Sequence, residues 1–219
     1  MKEYNLYITE KNNSMFLILE YLIIFYCIPL LFTFLVRTTP LPLIILGGIL
    51  GFYFLKKDDN FDIKHLYKIP LKPSVLIRII LQFILFSILL YYLIITYFPN
   101  YLFYFLKKDI ILWLKIVLIY TFVAVYPQEI IYRAFIFNRY RKIINNEKNL
   151  VHISSFAFAF GHLIYLNPFS VILSLIGGYI FSFTYLNTKS VFLVYIEHLL
   201  YGLLLYTIGF GNFFYSGIL

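Results

Sequence analysis

Charge and cysteine are scarce in this sequence. Of 219 residues, 13% are charged and a single one is cysteine, whereas 62% are hydrophobic and 22% are aromatic. Because about a quarter of the residues in soluble domains are charged, this composition excludes an ordinary soluble domain. Cys27 has no second cysteine to pair with and lies in an apolar run, so cysteine usage does not identify the redox compartment.

Motifs of several hydrolase mechanisms are also missing. The chain has no G-x-S-x-G sequence, which marks one class of serine hydrolases, and no H-E-x-x-H spacing, which marks zinc proteases. No histidine accompanies Cys27 in sequence to make it a nucleophile. An acyl-enzyme route through serine or cysteine therefore has little support.

Long apolar runs fill the chain instead. A transmembrane helix needs about 20 apolar residues, so these runs predict an all-α, polytopic transmembrane helical bundle that forms a single domain over 1–219. We expect about seven to eight spans, the eighth depending on Pro127, which should kink or split its helix. The predicted spans are 15–36, 41–55, 75–98, 110–126 with its continuation 128–144, 151–166, 171–186 and 191–210.

The net charge of +8 does not indicate nucleic-acid binding. Most basic residues lie in short segments beside apolar runs, where they set topology and contact anionic lipid. With seven spans, most of them fall on the side of the N-terminus, and only Arg37, Lys107, Lys108 and Lys115 fall on the other side. This bias predicts an integral membrane protein with a cytoplasmic N-terminus.

One stretch, 127–133, places polar side chains inside this apolar sequence. It contains Gln128, Glu129, Tyr132 and Arg133. An ionisable group at bilayer depth is costly unless it is paired or faces water, so it indicates a functional site. On a helix, Glu129 and Arg133 lie one turn apart and can form an ion pair.

Two histidines on later spans lie at a depth similar to that of Glu129. At a rise of 1.5 Å per residue, counted from the basic end of each helix, Glu129, His162 and His198 are roughly 15, 18 and 14 Å deep. We therefore expect the three side chains to share one cavity. There Glu129 can act as a general base, with the histidines orienting water or stabilising an oxyanion. The same three side chains can also bind a divalent metal such as zinc.

Each of these residues also has a structural interpretation. Glu129 and Arg133 can be a buried ion pair, and His162 and His198 can each hydrogen-bond to a neighbouring helix. A small transporter or proton relay is a further alternative. It would need a polar path to the outer face, where these helices carry few polar residues.

The motifs resemble those of the CAAX-protease and bacteriocin-processing family of intramembrane endopeptidases, also called CPBP or Abi. That family carries E-E-x-x-x-R, F-x-x-x-H and H-x-x-x-N on successive helices. The corresponding sequences here are QEIIYR from Gln128 to Arg133, FAFGH from Phe158 to His162, and HLLYG from His198. The resemblance covers about 110–219, and the spans in 1–109 carry no recognisable motif.

The resemblance implies an endopeptidase that cleaves a membrane-associated substrate, such as a prenylated or bacteriocin-like peptide. Gln128 stands at the position of the base, Glu129 at the second acidic position, and Gly202 where asparagine is expected. An amide cannot take a proton from water, and glycine has no donor side chain. Two hypotheses follow: a peptidase in which Glu129 is the base, or an inactive member acting in immunity or as a scaffold. If a metal is used, its ligands would be Glu129, His162 and His198.

Overall fold

The computed structural model describes residues 13–36, 39–70 and 72–215. Over these residues it contains helices and no strand, which confirms the predicted all-α class. Single helical turns lie at Lys64–Tyr67, Pro99–Tyr101, Tyr104–Lys108, His162–Tyr165 and Phe210–Phe214. The long helices are α1 (Asn13–Leu35), α2 (Leu41–Lys57), α3 (Pro73–Tyr97), α4 (Ile110–Lys142), α5 (Glu147–Gly161), α6 (Pro168–Thr188) and α7 (Val191–Ile208).

Five of the described helices, α1, α3, α4, α6 and α7, are long and apolar enough to cross a membrane. The protein is therefore an integral membrane protein. Helix α2 has 17 residues and α5 has 15. Both are shorter than α7, which at 18 residues is the shortest of the five. The predicted count of seven to eight spans is not confirmed for this reason.

Helix α4 continues through Pro127 without a break and runs for 33 residues. It contains two π-helical turns, Tyr120–Ala124 and Ile130–Phe135. In the first, the Val125 N–H bonds to the Tyr120 carbonyl five residues back. Such a widened turn changes the backbone register just before a proline that has no N–H to donate. Pro127 therefore creates no eighth span.

Side-chain caps fix where the last four helices begin. Each cap is a polar residue whose side-chain oxygen accepts a hydrogen bond from the first turn and so satisfies a free backbone N–H group. The caps are Asp109 on α4, Asn146 on α5, Asn167 on α6 and Ser190 on α7. Each cap lies directly before its helix in the sequence, so the first residue of these helices is determined by local sequence.

The core lies mainly among α4, α5, α6 and α7. Ala134 and Ile136 of α4, Leu150 and Val151 of α5 and Val194 of α7 are all 0% exposed. They belong to one hydrophobic cluster, to which α6 also contributes. The middle of α4 is thus held between α5 and α7, the two helices that carry the predicted histidine motifs.

Helices α1 and α2 pack against the other side of α4. Glu20 of α1 accepts hydrogen bonds from Nε and Nη2 of Arg139 at 3.0 and 2.8 Å. A Cβ built at Gly48 of α2 would lie 2.6 Å from Cβ of Pro127, so the helices can approach this closely only because residue 48 has no side chain. Both contacts place the N-terminal helices beside the polar stretch of α4.

Candidate active site

Glu129 and Arg133 form an ion pair inside the bundle. Arg133 Nε lies 3.3 Å from Glu129 Oε2, one helical turn away, and both side chains are 0% exposed. Taking two charges out of water is costly, so such a pair persists only where further polar groups surround it. The predicted pairing on α4 is thus confirmed, and both side chains are fully enclosed by protein atoms.

His198 of α7 hydrogen-bonds to the same carboxylate. Its Nδ1 lies 2.7 Å from Glu129 Oε1. A carboxylate paired with a guanidinium accepts hydrogen bonds, so Nδ1 carries the proton and Nε2 of the neutral ring carries the lone pair. The ring stacks on Phe181 at 4.5 Å and meets the edge of Phe158 at 5.4 Å between centroids. These contacts fix the direction in which Nε2 points.

Buried serines hold the guanidinium of Arg133 in place. Nη1 of Arg133 donates to Ser154 Oγ at 3.1 Å, and Ser154 donates to the Tyr132 carbonyl at 2.7 Å. Ser182 Oγ of α6 lies 3.0 Å from Ser154 Oγ. The guanidinium also lies 4.8 Å from the centroid of Phe158, a cation–π distance. The charge on Arg133 is therefore stabilised from α4, α5 and α6 together.

His162 follows the last residue of α5 and is oriented by its own helix. Its Nδ1 lies 2.8 Å from the Phe158 carbonyl oxygen, which can only accept, so Nδ1 is the protonated nitrogen. Nε2 of the neutral ring then carries the lone pair. The ring contacts Phe158 at 4.6 Å and Phe214 at 5.8 Å between centroids. Both predicted histidines are thus held in the same tautomer.

The two histidines and Gln128 line one cavity of about 140 Å³, here called the site cavity. Glu129 and Arg133 are not among its lining residues, and Glu129 is linked to the cavity through its hydrogen bond with His198. Gln128 Nε2 donates one proton to the Ala124 carbonyl at 3.1 Å. An amide nitrogen has two protons, so the second remains available toward the cavity.

A second cavity of about 250 Å³, here called the N-terminal cavity, lies between α1, α2 and α4. Its walls are mostly aliphatic and aromatic, with Ile24, Leu46 and Phe54 as examples. Gln128 and His162 line both cavities. The polar groups therefore stand where an apolar chamber meets the chamber that contains the histidines.

Comparison with known protein families identifies one family that the C-terminal half of the chain resembles. Residues 109–204 match the model of a family described as Type II CAAX prenyl endopeptidase Rce1-like. This part of the chain is similar to the CAAX protease family. The matched segment contains all three motifs, from Gln128 to Gly202, and so confirms the resemblance inferred from them. Comparisons with curated proteins and with solved structures give no significant match.

The CAAX-protease motifs are brought together by the fold in two groups. In the first group, Glu129 contacts both Arg133 and His198. In the second group, His162 and Gln128 line the same cavity as His198. Sequence reasoning missed the serines at 154 and 182 and the ring of Phe181. Serine in an apolar span was the available signal for the first two, since a buried hydroxyl needs a partner. Nothing in the sequence indicated the ring.

The three predicted metal ligands do not fit a metal in this arrangement. Oε1 of Glu129 accepts a hydrogen bond from His198 Nδ1, and Oε2 faces Nε of Arg133, whose positive charge would repel a cation. In the described ranges, no three His, Cys, Asp or Glu side chains are grouped so that they could hold a metal ion. Glu129, His162 and His198 therefore do not form a zinc site in this arrangement.

Proposed function

We propose that this protein is an intramembrane endopeptidase that activates water at the wall of the site cavity. The observation that carries the proposal is the 2.7 Å hydrogen bond from His198 to the buried Glu129, made beside a cavity that His198 lines. Because Nδ1 is protonated, Nε2 is free to accept a proton from water. A buried carboxylate that fixes the tautomer of a catalytic histidine is the logic of the serine-protease triad.

The proton acceptor in this proposal is His198, and Glu129 is a positioning residue. The hypothesis from sequence made Glu129 the base. Its side chain is 0% exposed, and its oxygens face His198 and Arg133 rather than the cavity. Arg133 keeps the carboxylate in place, and the carboxylate stabilises the positive charge that His198 gains in the reaction.

The proposed reaction has two proton transfers. His198 Nε2 removes a proton from water while the water oxygen bonds to the peptide carbonyl carbon, and His162 Nε2 orients that water by accepting its second hydrogen bond. The free amide proton of Gln128 donates to the carbonyl oxygen as it becomes negative. His198 then gives its proton to the leaving nitrogen while the C–N bond breaks, which releases a new carboxyl end and a new amine.

The N-terminal cavity supports a membrane-associated substrate. It is largely apolar and meets the catalytic groups at Gln128 and His162, so it can take an apolar segment or a lipid group, such as a prenyl chain, next to the peptide bond. Hydrocarbon burial stabilises such a complex by about 0.8 kcal/mol per CH₂ group. We propose that 110–219 is the catalytic core and that the helices of 1–109 shape substrate access.

The basic ends of the helices support a cytoplasmic assignment for one face. Lys142 at the end of α4 pairs with Asp58 after α2 at 3.1 Å, and Lys189 after α6 pairs with Glu147 of α5 at 3.2 Å. The ends of four helices thus meet at one face. By the excess of positive charge on cytoplasmic loops, we propose that this face and the N-terminus are cytoplasmic, in a bacterial inner membrane.

His198→Ala should abolish cleavage by the purified protein in lipid discs. The measurement is mass spectrometry on a panel of prenylated and unmodified membrane peptides. Loss of the general base is expected to lower the cleavage rate by at least about 100-fold. His152→Ala is the matched control, because His152 is an exposed histidine of α5 that bonds to Tyr179 and lines neither cavity.

Equal rates for the two histidine variants would overturn the role of His198. A wild type that cleaves no peptide, combined with variants that alter only stability or binding, would favour an inactive immunity or scaffold protein instead.

A further inference from the structure

Position 202 is filled from another helix. Gly202 lies four residues after His198 on α7, one turn along the same face, and it lines the site cavity. A Cβ built there would overlap the hydroxyl and ring of Tyr120 of α4. The space that a side chain at 202 would take is therefore occupied by a phenol.

The hydroxyl of Tyr120 takes part in none of the hydrogen bonds among the described residues. It lines the site cavity together with His162 and His198, and its ring meets the His198 ring edge-on at 5.9 Å between centroids. The Tyr120 hydroxyl also interacts electrostatically with the Glu129 carboxylate. Tyr120 is partly buried, and a hydroxyl without a partner beside a cavity has a proton to offer to whatever binds there.

The neighbouring tyrosine behaves differently. Tyr206 lines the same cavity and packs against Tyr120 at 5.5 Å between ring centroids. Its hydroxyl is already used, because it donates to the Phe214 carbonyl at 3.3 Å. The free donor is thus specific to position 120 in this pair.

The backbone at Tyr120 is also unusual. Tyr120 is the first residue of the π-helical turn Tyr120–Ala124. Single π-helical turns within α-helices are often found at functional sites, because the extra residue per turn changes the direction of the side chains. Here the π-helical turn begins at Tyr120, whose ring packs against His198 and Gly202 of α7.

We propose that the Tyr120 hydroxyl is a hydrogen-bond donor of the active site and replaces the donor that is missing at position 202. The inference rests on the proposed function and assigns one further catalytic residue to it. In the proposed reaction the hydroxyl donates to the substrate carbonyl oxygen as it becomes negative, next to the amide of Gln128. A phenol suits this role because it reaches the space over Gly202 without any side chain there.

Tyr120→Phe removes the donor and keeps the ring. Loss of one oxyanion donor typically lowers kcat by 100-fold or more, so we expect a fall of about that size with little change in KM. Tyr206→Phe is the matched control and should leave kcat close to wild type. The measurement is steady-state cleavage of one membrane peptide in lipid discs, with thermal unfolding of each variant to verify folding.

A swap of the two positions tests the replacement itself. Gly202→Asn alone should lower the unfolding temperature, because its side chain collides with Tyr120. Tyr120→Ala with Gly202→Asn removes the collision and returns a donor to the same space, so it should be at least about tenfold faster than Tyr120→Ala alone.

The possible outcomes separate the two proposals. A wild type that cleaves, with Tyr120→Phe equally fast, would overturn the role of Tyr120 and leave the proposed function intact. A double variant no faster than Tyr120→Ala would mean that the ring only fills space. A wild type that cleaves no peptide would overturn the proposed function and this role together.

Discussion

Glu129→Gln is expected to lower kcat for peptide cleavage by about 10²- to 10⁴-fold. The amide keeps the size of the side chain but removes the negative charge that holds the His198 Nδ1 proton and stabilises the protonated ring. Because Glu129 is 0% exposed and does not line the cavity, the effect should appear in kcat rather than KM. Steady-state kinetics in lipid discs measures it.

Glu197→Gln is the matched control for this change. Glu197 is the residue before His198, and it is also a glutamate with 0% exposure. Its carboxyl group interacts with Thr184 of α6 and, electrostatically, with Arg78 of α3, whose guanidinium itself donates to Thr184 at 2.6 Å. Loss of activity in both variants would show that any buried charge near His198 matters and would contradict a specific Glu129–His198 pair.

Arg133→Met should destabilise the protein by about 3–5 kcal/mol, because it leaves the buried carboxylate of Glu129 without its charged partner. Methionine retains much of the length of the arginine side chain, so the loss is mainly one of charge and hydrogen bonds. Arg133 also donates to Ser154, and that contact is lost as well. Unfolding in a graded denaturant series, in detergent, gives the free energy of unfolding.

Arg141→Met is the comparison for this stability change. Arg141 pairs with Glu147, but its side chain is 57% exposed and that of Glu147 is 47% exposed. Exposed ion pairs contribute about 0–1 kcal/mol. Similar losses for the two arginines would contradict the account of a buried ion pair that the fold depends on.

Much of the helical fold follows from local sequence. Apolar runs predicted the positions of the helices, and capping residues such as Asp109 and Asn146 mark where they begin. The number of spans did not follow, because it depends on length as well as hydrophobicity, and α2 and α5 are short. The continuity of α4 through Pro127 did not follow either. It depends on the π-helical turn Tyr120–Ala124, which no residue signals by itself.

The site was predictable as a set of residues but not as a geometry. Polar residues at bilayer depth identified Glu129, Arg133, His162 and His198, and depth alone suggested that three of them meet. Which of them contacts the cavity depends on how α4 is rotated against α7, and sequence periodicity does not fix that rotation. Likewise Gly202 looked like a lost donor, whereas only the packing of two helices brings Tyr120 into its place.

The most direct measurement compares cleavage by wild type and by Gln128→Glu on the same panel of membrane peptides, with the products identified by mass spectrometry. The account predicts that wild type cleaves, because the base is His198 and an amide at position 128 can serve as a donor. A wild type that cleaves no peptide, together with a Gln128→Glu variant that does, would contradict this account. Such a result would mean that the chain keeps the protease fold and lacks the carboxylate that the chemistry requires.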